Sequence, residues 1–160
     1  MKNQILDILR TEARATNAEV SKRLNIPEAD VAATIAQLER NKTVLGYRAI
    51  INPEKLDDEP CLGIIEVKIT PQRNVGYDEI AAQIHKFPEV KLCYLVSGGF
   101  DLLVFIEAHD LREVATFVSR KLATIDNVTS TTTHFILKKY KEAGITIGDE
   151  EKTDRLPVVP

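Results

Sequence analysis

The sequence has no apolar run of about eighteen residues or more, and its start lacks a basic segment followed by an apolar stretch and a small-residue cleavage site. We therefore expect neither a membrane span nor a secretory signal, and predict a cytoplasmic protein without membrane partners. Cysteine is scarce: Cys61 and Cys93 fall in predicted strands, without the spacing of metal ligands. Buried, reduced thiols are expected rather than a disulfide or a zinc site.

Sequence motifs of common catalytic sites are missing too. There is no Gly-rich phosphate loop, and Ser97 lacks the context of a nucleophile elbow. The three histidines, His85, His109 and His134, share no metal-ligand spacing. We therefore expect neither a bound metal nor a cofactor.

An excess of positive charge is also lacking, since the net charge is −3. The distribution is uneven, however. Residues 1–50 hold eight Lys or Arg against six Asp or Glu, whereas the remaining residues hold thirteen against eighteen. A mildly basic head on an acidic body would direct DNA toward the head.

Residues 17–48 predict a helix-turn-helix followed by a strand. Asn25 tolerates the left-handed conformation that ends many helices, and Pro27 suits the first turn of the next helix. A β-branched and aromatic run over residues 44–51 predicts a wing or a connecting strand. A preceding helix completes a trihelical core. The apolar positions of the three helices are Ile5, Leu6, Ile8 and Leu9, then Ala18, Val20 and Leu24, then Val31, Ile35 and Leu38.

The outward face of the second helix of this motif is the predicted DNA-reading surface. The Gln37 amide can pair with an adenine edge, while Ala33 or the Thr34 methyl can contact a thymine methyl. Two short amphipathic helices also occur in proteins that never bind DNA, so a solvated surface is the alternative. The predicted contacts are Ala29, Ala33, Thr34 and Gln37 to bases, and Lys22, Arg23, Arg40, Lys42 and Arg48 to phosphates.

From about residue 61 the periodicity becomes that of a βαββαβ domain. Strands are predicted over residues 61–70, 90–96, 102–108 and 128–137, with helices marked over 77–87 and 111–122. This order predicts a ferredoxin-like sheet with both helices on one face. The middle strands are apolar on both faces, since Leu103 and Phe105 alternate with other apolar residues. Because the chain has nothing to cover the second face, we predict a homodimer.

A helix-turn-helix head followed by a βαββαβ body resembles the Lrp/AsnC family of transcription regulators over roughly residues 3–144. Further similarities are Val44-Leu45-Gly46-Tyr47 after the second helix of the motif, and a threonine-rich last strand. Gly98-Gly99-Phe100-Asp101 stands where the family has a Gly-x-aromatic-Asp turn. The resemblance implies a homodimer, often assembled into tetramers or octamers, that binds double-stranded promoter DNA and responds to an amino acid. It also implies that the protein is not an enzyme. A basic residue, common in the family at or beside Thr34, is absent here.

The resemblance places an effector site near the glycine turn and the last strand, at contacts between dimers. Gly98 and Gly99 can adopt positive φ and expose amide groups, and Asp101 adds a carboxylate. From the residues alone, the same turn is simply a hairpin capped by Asp101. The predicted effector residues are Ser97, Gly98, Gly99, Asp101, Thr131 and Thr133.

The sequence therefore predicts an α+β protein with a winged helix-turn-helix and a ferredoxin-like domain for sensing and assembly. The predicted parts are a DNA-binding domain at 1–50, a linker at 51–60, the βαββαβ domain at 61–144, and a frayed tail at 145–160. Two alternatives remain open. Dimeric ferredoxin-like domains also occur in small enzymes, for which His134 is the only candidate catalytic residue. The acidic start of the second motif helix, at Glu28 and Asp30, leaves room for a sensor or scaffold that has lost strong DNA binding.

Overall fold

A computed structural model describes residues 1–70 and 76–147. The chain divides into two compact units, Met1–Ile51 and the residues from Asn52 onward. Neither described range contains a helix that is long and apolar enough to cross a membrane.

The first unit is a three-helix domain. Helix α1 spans Lys2–Thr11, α2 spans Asn17–Leu24 and α3 spans Glu28–Arg40. Their apolar sides meet in a small core, and each helix contributes at least one fully or nearly fully buried residue. The buried members are Ile5, Leu9, Val20 and Val31. The helix-turn-helix and its preceding helix are therefore confirmed.

Local side-chain chemistry sets both ends of α2. At its start, Glu19 N donates to Thr16 Oγ1 at 3.3 Å, and Thr16 N donates to Glu19 Oε2 at 2.7 Å. This reciprocal capping box satisfies backbone groups that a helix start leaves without partners. At its end, Asn25 adopts the left-handed conformation, with φ 53° and ψ 49°, as the sequence predicts. Pro27 precedes α3 as its N-cap rather than lying in its first turn.

The end of α3 places a lysine in a backbone conformation that favours glycine. Lys42 has φ 59°. Lys42 N donates to Glu39 O at 3.1 Å, and Thr43 N donates to Leu38 O at 2.9 Å. This pair of bonds is the Schellman motif, whose left-handed position is usually glycine. A Cβ at that position is unfavourable.

We expect Lys42→Gly to raise the free energy of unfolding by about 0.5–1 kcal/mol. Relief of left-handed strain outweighs the greater freedom that glycine gives the unfolded chain. Chemical denaturation of the full chain measures the change. Lys42→Ala removes the same charge but keeps the Cβ, so it should leave stability nearly unchanged. Equal stability of the two variants would contradict the strain argument.

The strand expected over residues 44–51 is absent. These residues form no helix or strand, and most of them are exposed. Leu45 is 87% exposed, so the apolar pattern does not come from burial within the chain. Tyr47 is held by its hydroxyl, which donates to Glu39 Oε1 at 3.0 Å. Burial and the nearby Glu39 carboxylate raise the pKa of Tyr47.

The second unit has the predicted βαββαβ order. Its strands are β1 Cys61–Ile69, β2 Val90–Leu95, β3 Leu102–Ala108 and β4 Val128–Phe135. Helix α4 spans Tyr77–Ile84, and α5 spans Leu111–Phe117 and continues as a π-helical turn over Val118–Leu122. The sheet order is β2-β3-β1-β4, and every pairing is antiparallel. This is the ferredoxin-like arrangement.

Alternate residues of the sheet face the two helices. Gly63 on β1 admits α5 closely, since a Cβ there would lie 3.1 Å from Ile106 Cγ1 and 3.4 Å from Val114 Cγ1. The core of this unit forms between the sheet and the helices. Its buried residues include Ile65 and Val67 of β1, Val104 and Ile106 of β3, Ile80 and Ile84 of α4, and Val114 and Phe117 of α5.

The opposite side of the sheet, here termed the open face, has no covering element in the described part of the unit. Its centre is apolar and only half-buried. By strand register, the open face consists of Leu62, Ile64, Glu66, Lys68, Leu92, Tyr94, Leu103, Phe105, Glu107, Ser130, Thr132 and His134.

The predicted frayed tail is wrong for its first residues. Ile145–Thr146 (β6) pairs with Lys141–Glu142 (β5) in a hairpin, and Ile147 beyond it is buried. The hairpin turns through Ala143 and Gly144, both with positive φ. It therefore crosses the boundary predicted at residue 144. The rest of the predicted tail, residues 148–160, lies outside the described residues.

Candidate DNA-binding and effector sites

The outward face of α3 forms a continuous exposed row. Ala29, Ala33, Gln37 and Arg40 are exposed and recur every three or four residues, which places them on one side of the helix. The inward side carries the buried Val31 and Leu38. The row offers two methyl groups, one amide and one guanidinium, the groups that contact base edges and phosphates in a major groove.

Two of the predicted DNA contacts are engaged within the chain. Thr34 is half-buried, and its hydroxyl donates to Asp30 O at 2.7 Å. Arg23 forms a two-pronged ion pair with Glu12, with N–O distances of 2.8 and 2.6 Å. The Arg23 guanidinium lowers the pKa of Glu12, and Glu12 raises the pKa of Arg23. Both side chains are about half exposed, so the pair is solvated and weak.

The other predicted phosphate contacts, Lys22, Lys42 and Arg48, are exposed. Lys42 follows directly on the end of α3, and its backbone is fixed by the Schellman bonds. Lys22 and Arg48 lie on the neighbouring segments of the same unit. In sequence order, exposed cations of the first unit thus lie both before and after the exposed row.

The glycine turn between β2 and β3 is exposed at Ser97, Gly98 and Gly99. Gly98 has a φ of 158°, a conformation that side-chain-bearing residues rarely adopt, and Gly99 does not use a positive φ. A Cβ at either glycine would meet nothing within 4 Å. The expected positive φ is therefore confirmed at Gly98 and wrong at Gly99, and neither position needs glycine for space. Within the described residues, neither glycine amide has a hydrogen-bond partner, so both can receive a ligand.

Asp101 fixes this turn to the end of β1. Ile69 N donates to Asp101 Oδ2 at 2.7 Å, and Asp101 N donates to Val67 O at 3.0 Å. Val96 N closes the turn by donating to Asp101 O at 2.9 Å. Asp101 is half-buried. One carboxylate oxygen therefore already holds the backbone where β1 shifts register, between Lys68 and Ile69.

The predicted threonines lie beyond β1 from this turn. Val67 pairs with Leu102 on one side and Thr131 on the other, while Thr133 pairs with Ile65. Two strand spacings separate β3 from β4, so Thr131 lies about 10 Å from the start of β3, and Thr133 lies farther along. Both threonines are half-buried. Thr131 and the turn thus flank the same end of β1, and Thr133 is the more distant candidate.

Comparison with known proteins decides the family. A model of the Lrp/AsnC ligand binding domain matches residues 62–145, and a winged helix-turn-helix DNA-binding model matches residues 2–42. The HTH-type transcriptional regulator YugG of Bacillus subtilis is 44% identical over 162 residues, covering 99% of this chain and 96% of that protein. The leucine-responsive regulatory protein of Haemophilus influenzae is 28% identical, covering 90% and 86%. The chain belongs to the Lrp/AsnC family. It is a DNA-binding transcriptional regulator and not an enzyme.

Solved Lrp/AsnC structures share the fold. A regulator from Neisseria meningitidis, solved as a complex with L-Met, is 28% identical with a TM-score of 0.70, covering 88% of this chain and 90% of that one. E. coli AsnC gives a TM-score of 0.66 at 19% identity, covering 88% and 93%. The helix-turn-helix followed by a ferredoxin-like domain is thus the fold of Lrp/AsnC regulators.

Two charged pairs escaped sequence reasoning because their partners are far apart in the chain. Lys121 pairs with Glu89 and lies 5.5 Å from the centroid of the Phe87 ring. On the open face, His134 Nε2 lies 3.1 Å from Glu66 Oε1. No periodicity connects residues 68 positions apart. Once the strands are defined, however, pairing of Ile64 with His134 predicts the second contact, because Glu66 is the next residue on the same face.

Proposed function

We propose that this Lrp/AsnC regulator binds specific DNA sequences as a homodimer and that an amino acid modulates the binding. The observation that carries the DNA-reading proposal is the exposed row Ala29, Ala33, Gln37 and Arg40, opposite the buried side of α3. A helix pinned by one side to a small core leaves its other side available to a major groove.

Within this row, Gln37 is the base-reading residue. Its amide can donate to and accept from an adenine edge, whereas the alanines offer only methyl contact. Arg40 and Lys42 would hold phosphates on the flank, together with Lys22 and Arg48. Arg23 is a poorer candidate, because binding a phosphate would compete with its ion pair to Glu12. Thr34 can contribute its methyl group, since its hydroxyl is used within the helix.

The acidic start of α3 limits the affinity of one copy. Glu28 and Asp30 are exposed in the first turn, where they favour the helix but repel phosphate. Two linked copies bind adjacent half-sites more tightly than one, because the second contact is then intramolecular. DNA binding by this chain should therefore depend strongly on assembly.

A second copy on the open face would supply that assembly. The face has an apolar centre, with Lys68 at one end and Glu107 at the other, roughly 20 Å apart along the strands. A second copy in the reverse direction would bring Lys68 of each copy toward Glu107 of the other while covering Ile64, Leu103 and Phe105. This self-complementarity supports a symmetric dimer.

The effector proposal is supported by chemistry at the glycine turn. The amides of Gly98 and Gly99 can donate to a carboxylate, and the second oxygen of Asp101 can accept from an ammonium group. Ser97, Thr131 and Thr133 add hydroxyls at or near the same end of the sheet. The relative from Neisseria was solved with L-Met, which agrees with an amino acid as the effector class.

The test of DNA binding compares substitutions of charge with a substitution of the base reader. Arg40→Ala combined with Lys42→Gly should weaken binding to all sequences alike and lower the salt dependence, by about one unit of slope per lost phosphate contact. Gln37→Ala should cost about 1–3 kcal/mol on the preferred sequence and little on others. Fluorescence anisotropy with promoter and random duplexes, over a salt series, measures both effects.

Lys86→Ala is the matched control, because Lys86 is also exposed but lies beyond α4 in the second unit. It should leave both affinity and slope unchanged. Full binding by the Arg40/Lys42 double variant would exclude these residues as phosphate contacts. An intact wild-type chain that binds no promoter at low salt would favour the scaffold alternative instead.

A further inference from the structure

The open face carries one titratable pair that DNA binding and effector binding do not use. His134 Nε2 lies 3.1 Å from Glu66 Oε1, and their side chains are 53% and 35% exposed. The pair bridges β4 and β1 beside the apolar centre of the face. In the single chain, water solvates both groups, so the pair by itself contributes little.

A second copy on this face changes the environment of the pair. Covering the face removes water from the Glu66 carboxylate, and an ionised carboxylate away from water requires a compensating partner. A protonated imidazole provides one, as a charge-assisted hydrogen bond. A neutral imidazole can still donate a hydrogen bond, but it leaves the pair with a net negative charge.

We propose that the Glu66–His134 pair makes assembly through the open face dependent on pH, with the dimer stronger in mild acid than in mild base. The inference rests on the proposed homodimer. Histidine is the side chain whose charge ordinarily changes between pH 5 and 8, whereas carboxylates ordinarily stay ionised throughout that range. Twofold symmetry places two such pairs in each dimer, so the effect counts twice.

The other charged and titratable groups near the pair could also contribute to a pH dependence of assembly. On β1, Lys68 follows Glu66 on the same face, and on β3, Glu107 lies at the far end. On β2, Tyr94 is the titratable residue placed on the open face, while Cys93 packs against the core and Lys91 lies at the register shift. Beyond β4, Lys138 pairs with Glu54 at 3.5 Å. β4 itself has no titratable side chain besides His134. Lys68 partly offsets the carboxylate at every pH between 5 and 8, but it does not change charge there, so the pH dependence comes from the imidazole.

Sedimentation of the full chain at pH 5.5 and pH 8 tests the proposal. We expect the dimer dissociation constant to be about tenfold lower at pH 5.5, or lower still, because protons bind preferentially to the dimer. His134→Gln keeps a hydrogen-bonding side chain without a titration, and should bring the two constants within about twofold of each other. His85→Gln, at an exposed position beyond α4, should retain the wild-type difference.

The Glu66→Gln variant tests whether the carboxylate sets the direction of the pH dependence. Without the carboxylate, covering the face disfavours the charged imidazole, so the pH dependence should vanish or reverse. Circular dichroism at both pH values checks that each variant is folded. Equal wild-type constants at the two pH values would overturn the inference alone, and so would a His134→Gln variant with the full pH difference. A monomer at both pH values would overturn the proposed dimer as well.

Discussion

Phe105→Asp is expected to convert the proposed dimer into a folded monomer. Phe105 lies on the open face, where strand register places it beside Ile64 and Leu92. It is only half-buried in the single chain, so an aspartate there remains partly hydrated in the monomer. In the dimer the same carboxylate would lie in an apolar contact without a partner, which costs several kcal/mol. The dissociation constant should rise by at least about a hundredfold, as measured by sedimentation.

Leu111→Asp is the matched control for this substitution. Leu111 is 58% exposed at the first position of α5, on the helix side of the sheet. An aspartate in the first turn of a helix is tolerated or slightly favourable. This variant should fold and dimerise as the wild type does. If Phe105→Asp remains a dimer while circular dichroism shows a native fold, a different surface holds the copies together.

Loss of DNA affinity should accompany loss of the dimer, although Phe105 lies outside the DNA-binding unit. In the proposed function, the acidic start of α3 makes one copy a weak binder, so strong binding depends on a linked second copy. Promoter binding by the folded Phe105→Asp monomer at wild-type strength would contradict this dependence. The same variant therefore tests whether assembly and DNA binding are coupled.

Periodicity predicted the fold well because burial in this chain is regular. Val31, Ile35 and Leu38 follow the helical repeat, and Leu38 and Val31 are buried as expected. On β3, Leu102 and its alternate neighbours are buried, while Leu103 on the open face is half-buried. The apolar residues on both faces of this strand are the reason why the sequence predicts a second contact surface. These patterns depend only on local geometry and burial, which sequence spacing records.

The predictions that failed depended on partners distant in the sequence or outside the chain. The apolar run at residues 44–51 has high strand propensity, but a strand needs a hydrogen-bonding neighbour, and none pairs with it in the described residues. For Arg23, the DNA contact stays a prediction, but sequence reasoning missed its ion pair. Its bidentate contact with Glu12, eleven residues away, follows from how α1 leads into α2 rather than from any local pattern.

The glycine turn shows how a correct location can come with an incorrect detail. Gly98-Gly99-Phe100-Asp101 does form the turn between β2 and β3. The positive φ expected of both glycines occurs at Gly98 alone, and neither position needs glycine for space. The carboxylate of Asp101 has a structural partner that the sequence could not indicate. Asp101 is 32 residues from Ile69, whose amide it accepts. The turn therefore combines a structural role with the proposed ligand-binding role.

These two roles of Asp101 are separable by substitution. Asp101→Asn keeps an oxygen that can accept from Ile69 N but removes the charge that would hold an ammonium group. Asp101→Ala removes both, and leaves a part-buried amide without its partner. We expect the alanine variant to lose about 1–3 kcal/mol of stability and the asparagine variant to lose much less. Denaturation of both variants measures this difference.

The two Asp101 variants should differ in stability but not in their response to the effector. In the wild type, at least one amino acid from a screen of the common twenty should raise the melting temperature, because a ligand that binds only the folded state stabilises it. Both Asp101 variants should lose that increase, although only one is destabilised. Asp78→Asn, at an exposed position in the first turn of α4, should retain it. If Asp101→Asn responds fully, the carboxylate does not hold the ammonium group, and Asp101 serves only to join the turn to β1.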